Sequence, residues 1–331
     1  MKPPIVVIGS ANTDLVIRVP QLPHPGETVT GGRFEIVAGG KGANQAVAAV
    51  RAGAHVTFIA NVGCDPFGDA ALKGLRRERI DTRYVARSFA TPSGVALIMV
   101  GQGGENLIGV ARGSNDELLP SHIDAAMPVI RAAQCLVVQL EIPLATVGRA
   151  IGLANRHDVP ALLNPAPAQR VPLKLLQQAT WLTPNEGELA ALTGLPTRNK
   201  SGVETAARKL QMQGVENILV TCGARGVFWC SEAGTRWFST PQVRAIDTVG
   251  AGDCFSGAFA AAVAEGKSLE QAIRFAVAAA AISVTRPGAQ SSMPTRREIL
   301  HALPARQPTG RARCPQPDAA GTERSADFSR L

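Results

Sequence analysis

The run Asp247-Thr248-Val249-Gly250-Ala251-Gly252-Asp253 sets a carboxylate directly after three residues with minimal side chains. The stretch from Cys254 to Ala264 reads as a packed helix, which places Gly250, Ala251 and Gly252 at its start. First-turn N–H groups have no partners inside a helix and lie at its positive end, so bare backbone there attracts an anion. A carboxylate beside an anion site needs a reason to be there. In phosphoryl transfer the reason is acceptance of a proton from the attacking hydroxyl. Asp253 is thus a candidate general base and Gly250, Ala251 and Gly252 a candidate anion hole; helix capping by Asp253 is the plainer alternative.

A second glycine-rich helix start strengthens this reading. Ala38-Gly39-Gly40-Lys41-Gly42-Ala43-Asn44-Gln45-Ala46 runs into an apolar helix that stops at Gly53. The glycines let a ligand touch the backbone, and Lys41 and Asn44 can project into the same space. The order does not match the P-loop pattern, and no GxGxxG follows a strand. Just past the first strand come Asn12, Thr13 and Asp14; in an open α/β sheet, ligands bind at the carboxyl ends of strands. An amide and a carboxylate suit a polyhydroxy ligand, because each sugar hydroxyl both donates and accepts. An Asx turn is the alternative there. Glu141, just after a strand at Cys135–Leu140, points toward the same edge.

These residues need a scaffold, and the chain supplies a rhythm of short apolar runs and helical patterns. Buried strands are expected at 5–8, 56–60, 135–140, 161–164, 181–183, 218–221 and 226–230. Helices are expected at 43–52, 69–78, 144–157, 187–192, 202–213, 254–265 and 269–284. That alternation predicts an α/β fold, doubly wound, with a mostly parallel sheet and helices on both faces. Segments 15–37 and 94–110 instead alternate as strands with tight turns, among them Gly101-Gln102-Gly103-Gly104, and predict a small separate sheet acting as a lid. Paired surface hairpins are the alternative.

The 331 residues suffice for one large α/β domain or two smaller ones. The net charge of +8 is spread out. Its densest stretch, Lys73, Arg76, Arg77, Arg79, Arg83 and Arg87, is interrupted by Glu78 and Asp81 and reads as a solvated helix face, not a nucleic-acid surface. Cationic balance also suits an enzyme with anionic substrates. The six cysteines show no metal-ligand spacing and fit free, mostly buried thiols. With neither a signal peptide nor an apolar stretch of membrane length, a soluble cytoplasmic protein without a membrane partner is expected. From Pro304 to Leu331, prolines and arginines replace apolar residues and predict a disordered tail.

Five segments together resemble the ribokinase family of sugar kinases: Asp247–Asp253, Gly39–Asn44 with its helix, Asn164-Pro165-Ala166-Pro167-Ala168, Thr183-Pro184-Asn185-Glu186-Gly187-Glu188 and Thr285-Arg286-Pro287-Gly288-Ala289-Gln290. The resemblance spans roughly residues 4–303 and implies a kinase domain over 1–303, with lid strands at about 13–37 and 94–112. It implies ATP-dependent phosphorylation of the 5-hydroxyl of D-ribose, with Asp253 as base. Asn12, Thr13, Asp14, Gly40, Lys41, Gly42, Ala43, Asn44 and Glu141 would surround the sugar. Asn185, Thr221, Cys222, Gly223, Ala224, Arg225, Gly226, Gly252, Asp253 and Val277 would meet ATP, the last through an apolar contact near adenine. Glu188 would organise water around Mg²⁺. Asp247, Val249, Ser283, Arg286, Gly288 and Ser292 would hold an activating K⁺, mostly by backbone carbonyls. A homodimer through the lid is implied as well. Kinases of deoxyribose or of a phosphorylated sugar are the nearest rivals, and a sugar-binding regulator without catalysis a more distant one.

Overall fold

The computed structural model describes residues 2–303; the tail beyond lies outside the described residues. Its strands are β1 (Pro4–Ile8), β2 (Asn12–Arg18), β3 (Arg33–Gly39), β4 (His55–Gly63), β5 (Asp81–Ser88), β6 (Gly94–Val100) and β7 (Asn106–Ala111) in the first part. The second part adds β8 (Cys135–Val138), β9 (Ala161–Leu163), β10 (Trp181–Leu182), β11 (Asn217–Thr221), β12 (Val227–Ser231) and β13 (Gly234–Phe238). The helices are α1 (Lys41–Ala52), α2 (Pro66–Arg77), α3 (Pro120–Ala125), α4 (Met127–Arg131), α5 (Leu144–Asn155), α6 (Leu173–Leu176), α7 (Glu186–Thr193), α8 (Lys200–Met212), α9 (Ala251–Ala264), α10 (Leu269–Ser283) and α11 (Arg296–Ala302).

One sheet runs β13-β12-β11-β10-β9-β8-β1-β4-β5. From β11 to β5 every neighbouring pair is parallel, while β12 turns back against β11 and β13 against β12. Strands such as Ile5-Val6-Val7-Ile8 are apolar at every position because helices cover both faces. Alternation then splits them between two cores: Ile5 and Val7 pack with α1, α9 and α10, whereas Val6 and Ile8 pack with α5, α7 and α8. This is the doubly wound α/β architecture that the sequence predicts.

Small residues let α9 lie against α1 at close range. A Cβ on Gly257 would come within 2.5 Å of the Gln45 carbonyl oxygen and 2.7 Å of Ala48 Cβ. The side chain of Phe259 in α9 stacks on Phe255 and meets Trp181 edge-on at a centroid distance of 5.6 Å.

The second sheet runs β3-β2-β6-β7, with β2 and β6 parallel and the outer pairs antiparallel. It forms a separate four-stranded layer, as the alternating segments predict; β2 begins earlier than expected, at Asn12, and β3 runs on to Gly39. By register one face carries Phe34, Ile36, Leu97 and Leu107, each more than half exposed, while Ile108 and Val110 are exposed on the other.

Other expectations need correction. The basic run is not one helix face: Lys73, Arg76 and Arg77 lie on α2, while Arg83 and Arg87 lie on the edge strand β5. Arg83 pairs with Asp81 and Arg87 with Asp69, so local acids offset part of the run. Strand β8 stops at Val138, which leaves Gln139, Leu140 and Glu141 free to leave the sheet edge. Among the described residues, no helix is long and apolar enough to cross a membrane.

Candidate active site

Gly250 caps α9 with φ 74°, a left-handed conformation that glycine adopts without strain. The Cys254 N–H donates to the Gly250 carbonyl at 2.8 Å and closes the first turn. Ala251 departs from expectation, because its N–H already donates to the Thr248 carbonyl at 3.2 Å. The Gly250 and Gly252 N–H groups have no backbone partner among the described residues. A side chain on Gly252 would meet open space, so this amide stays accessible. The anion-attracting surface thus rests mainly on Gly250 and Gly252.

Asp253 is buried, and both of its oxygens accept side-chain hydrogen bonds. Asn44 Nδ2 donates to Oδ2 at 3.0 Å and Gln45 Nε2 to Oδ1 at 2.9 Å. Both donors lie in the first turn of α1, so the close α1–α9 crossing delivers them. Gln45 Nε2 also donates to Asn164 Oδ1 at 3.0 Å, and Gln290 Nε2 donates to Asn44 Oδ1 at 3.1 Å. The neighbouring Cys254 is fully buried, which pushes its thiol up to about 12 and leaves no thiolate beside Asp253 at neutral pH.

Asp14, Lys41 and Glu141 share the field of Asp253. Burial, then the Glu141 and Asp253 charges, raise the Asp14 pKa to about 6. Burial works against the Lys41 ammonium, but Asp253, Glu141 and Glu188 together hold its pKa above the ordinary lysine value. Glu141 accepts from the Ser10 hydroxyl and from the Lys41 N–H at 3.0 Å. Asn12 Oδ1 accepts from Asn115 Nδ2 at 2.7 Å. Gly40, at φ 88°, has no room for a Cβ, which would lie 2.6 Å from the Asn12 nitrogen. Gly42 differs from expectation: a Cβ there would meet the Gly9 and Ser10 backbone at 2.6 Å, so the glycine serves helix-to-strand contact. Thr13 and Ala43 are likewise buried in packing.

Beyond the first turn of α9 opens a cleft of about 800 Å³. Asn185, Thr221, Gly223, Ala224, Gly226, Gly252 and Val277 line it, all from the set expected to meet a nucleotide. Asn185 and Thr221 are neighbours because the chain after β10 pairs with the end of β11. Three expected residues do not line the cleft. Cys222 is buried with its thiol directed at the Val220 carbonyl, and burial pushes it up to about 12. Arg225 pairs with Glu186 and donates to the Arg198 carbonyl. Asp253 also stays outside the cleft lining and faces α1 instead.

Glu188 and Asn185 form a reciprocal cap on α7: Asn185 N–H and Nδ2 donate to the Glu188 carboxylate, and Glu188 N–H returns a bond to Asn185 Oδ1. Burial raises the Glu188 pKa, with Asp253 adding to the rise and the Asn185 bond and Lys41 opposing it. Its charge is therefore felt at Asp253 and Lys41. Among the described residues, no three acids, histidines or cysteines converge to cage a metal. A carboxylate near a phosphate site fits Mg²⁺, which keeps water and binds through few carboxylates plus substrate phosphates.

The segments on either side of α10 meet at Asp247. Its Oδ2 accepts from the Gly288 N–H at 2.8 Å and its Oδ1 from the Val249 N–H at 3.0 Å. Gly250 abuts Ala289 so closely that a Cβ would lie 3.0 Å away. Arg286 turns its guanidinium to Glu298, and Ser292 donates its hydroxyl to the Ala289 carbonyl at 2.8 Å. Each Asp247 oxygen keeps a lone pair beyond its N–H partner, and carboxylate oxygen is a donor that fits a hard cation.

Several functional contacts escaped the sequence reading. Gln45, Gln139 and Asn115 received no role, because their partners lie far away along the chain. Their one signal is local: Gln45 follows Asn44 in the first turn of a glycine-led helix.

Comparison with known proteins fixes the class. The family model described as pfkB family carbohydrate kinase matches residues 2–296. The chain belongs to this family of kinases. Ribokinase of Haemophilus influenzae is 43% identical over 303 residues, covering 92% of this chain and 99% of its own. A deoxyribokinase of Salmonella typhi is 40% identical over 292 residues, covering 88% of this chain and 95% of its own. The solved structure of Arabidopsis thaliana ribokinase complexed with ribose and ATP superposes with a TM-score of 0.86 at 34% identity, covering 92% of this chain and 99% of that one.

Proposed function

We propose that this kinase transfers the γ-phosphoryl group of ATP to the 5-hydroxyl of D-ribose. The observation that carries the reading is the position of Asp253. It directly follows Gly252, which lines the 800 Å³ cleft; it accepts from Asn44 and shares the field of Asp14 and Lys41, the residues taken in this reading to line a sugar pocket. A sugar in the pocket would offer hydroxyls to the Asp14 and Glu141 carboxylates and accept from Lys41 and Asn44. Asp253 takes the proton of the attacking hydroxyl as charge moves onto the γ-phosphoryl oxygens, which the Gly250 and Gly252 amides receive. Asn185, Thr221, Gly223, Ala224, Gly226 and Val277 seat the nucleotide. Glu188 would organise the water of a phosphate-bound Mg²⁺, which would supply neutralisation of phosphate charge. Asp247 and the carbonyls of Val249, Ser283, Arg286, Gly288 and Ser292 would hold K⁺ and stiffen the loop behind the amides. The kinase domain in this reading spans residues 1–303, and two copies associate through the lid.

The test is a coupled assay of ADP release with D-ribose. Asp253→Asn should lose about 10²–10⁴-fold in kcat while still binding the sugar, the usual contribution of a general base. Wild-type turnover in that variant would end the assignment.

Deoxyribose is the second reading, favoured by the Salmonella typhi relative. A site that hydrogen-bonds the 2-hydroxyl should discriminate by about 10⁴-fold in kcat/KM, whereas similar values for both sugars would support the second reading. A phosphorylated sugar is disfavoured, since the carboxylates of Asp14, Glu141 and Asp253 cluster around Lys41 and would repel its phosphate.

A further inference from the structure

We infer that Gln45 is a positioning residue for Asp253, holding Oδ1 so that Oδ2 alone is presented to the substrate hydroxyl. The inference rests on the assignment of Asp253 as base. Gln45 is fully buried, and its Nε2 donates to Asp253 Oδ1 at 2.9 Å and to Asn164 Oδ1 at 3.0 Å. Its Oε1 accepts from Gln139 Nε2 at 2.7 Å. Asn164 is oriented in turn by donating Nδ2 to the Thr183 carbonyl at 2.8 Å. The donors and acceptors therefore run one way along Gln139, Gln45 and Asp253. Reversing Gln45 would aim its carbonyl oxygen at a carboxylate.

The far end of this chain shows what its orientation costs. Gln139 is fully buried, and its Oε1 has no hydrogen-bond partner among the described residues. A buried acceptor left unpaired is unfavourable, so the amide is fixed by its other end. Gly9 makes the space, because a Cβ there would sit 2.0 Å from that oxygen. Asn44, on Oδ2, is the donor that also borders the sugar pocket. Substrate can draw it away while Gln45, remote from solvent, keeps its grip.

The experiment compares Gln45→Met, Gln45→Glu and Asp253→Asn by kcat, KM and pH profile, with melting curves confirming the fold. Methionine fills the space without donors, so kcat should fall about 10²-fold with both KM values nearly unchanged, as expected for a misplaced reacting group. Glutamate would set a second carboxylate against Oδ1, and paired acids share a proton. The acid limb of kcat should then move up by about one pH unit or more. A residue that merely fills space would leave kcat of the folded methionine variant unchanged. Wild-type kcat in folded Gln45→Met, or an unmoved acid limb in Gln45→Glu, would overturn the positioning role while leaving the base intact. Turnover by Asp253→Asn would instead remove the base assignment itself. If neither Gln45 variant folds, Gln139→Met decides: it should lower kcat severalfold at constant KM, and unchanged kcat would refute the relay.

Discussion

Asp14→Asn offers a test that couples stability to substrate binding. Burial and the charges of Glu141 and Asp253 raise the Asp14 pKa from 3.8 to about 6. The folded protein therefore binds more protons than the unfolded chain between pH 4 and 6, and its stability falls as pH rises through that window. The shift corresponds to about 3 kcal/mol at neutral pH, and partial exposure of the side chain reduces it to about 1–2 kcal/mol. Asparagine removes the ionisation, so the variant should melt a few degrees higher at pH 7, at about 2–4 °C per kcal/mol. The gain should vanish near pH 4. Ionised Asp14 accepts hydrogen bonds from sugar hydroxyls, so wild-type kcat/KM for the sugar should drop about tenfold per unit below pH 6. Melting curves for both proteins across pH 4–8, with sugar kinetics over the range where the fold holds, provide the assay. Parallel melting profiles for the two proteins from pH 5 to 7 would refute the claim that Asp14 ionises at a cost.

Gly257→Ala should force α1 away from α9, since the new methyl would lie 2.5 Å from the Gln45 carbonyl. Overpacking of this kind costs about 1–3 kcal/mol and should lower kcat along with the melting temperature; an unchanged kcat would deny that this crossing sets the base. Leu97→Arg places a charge on the exposed apolar face of the lid sheet, the face that also carries Ile36 and Phe34. Sedimentation should then show monomers where the wild type sediments as a dimer, and a monomeric wild type at micromolar concentration would remove the lid interface.

The architecture was largely legible because buried parallel strands such as Ile5-Val6-Val7-Ile8 and Ile218-Leu219-Val220 have no polar positions to blur them. Strand β5 was not, since its charged, half-exposed residues on a sheet edge carry little hydrophobic signal and continue the basic pattern of α2. The tight loop positions were legible too: Gly40 and Gly250 take positive φ where any side chain would collide. Gly42 looked the same in sequence but answers to packing against β1, a distinction only the tertiary contact reveals. Cys222 and Arg225 sit in the right turn, yet the alternation after β11 directs one into the core and the other to Glu186. Sequence order gives a turn's location but not the side of it that each side chain takes.

Asp253 shows why the rest of the site could not be read along the chain. Its two partners, Asn44 and Gln45, lie 209 and 208 residues away, and Gln139 is a further 94 residues from Gln45. Neighbouring amides on a helix point in different directions, so Asn44 and Gln45 meet one carboxylate only because the start of α9 crosses close to the start of α1. That approach depends on Gly257 and on the small residues Ala46, Ala48 and Ala49, which a composition reading takes merely as helix formers. The same crossing therefore sets helix separation and the orientation of the base. A larger residue there would be felt in packing and in chemistry together, which ties the abundance of small residues in these two helices to the placement of one carboxylate.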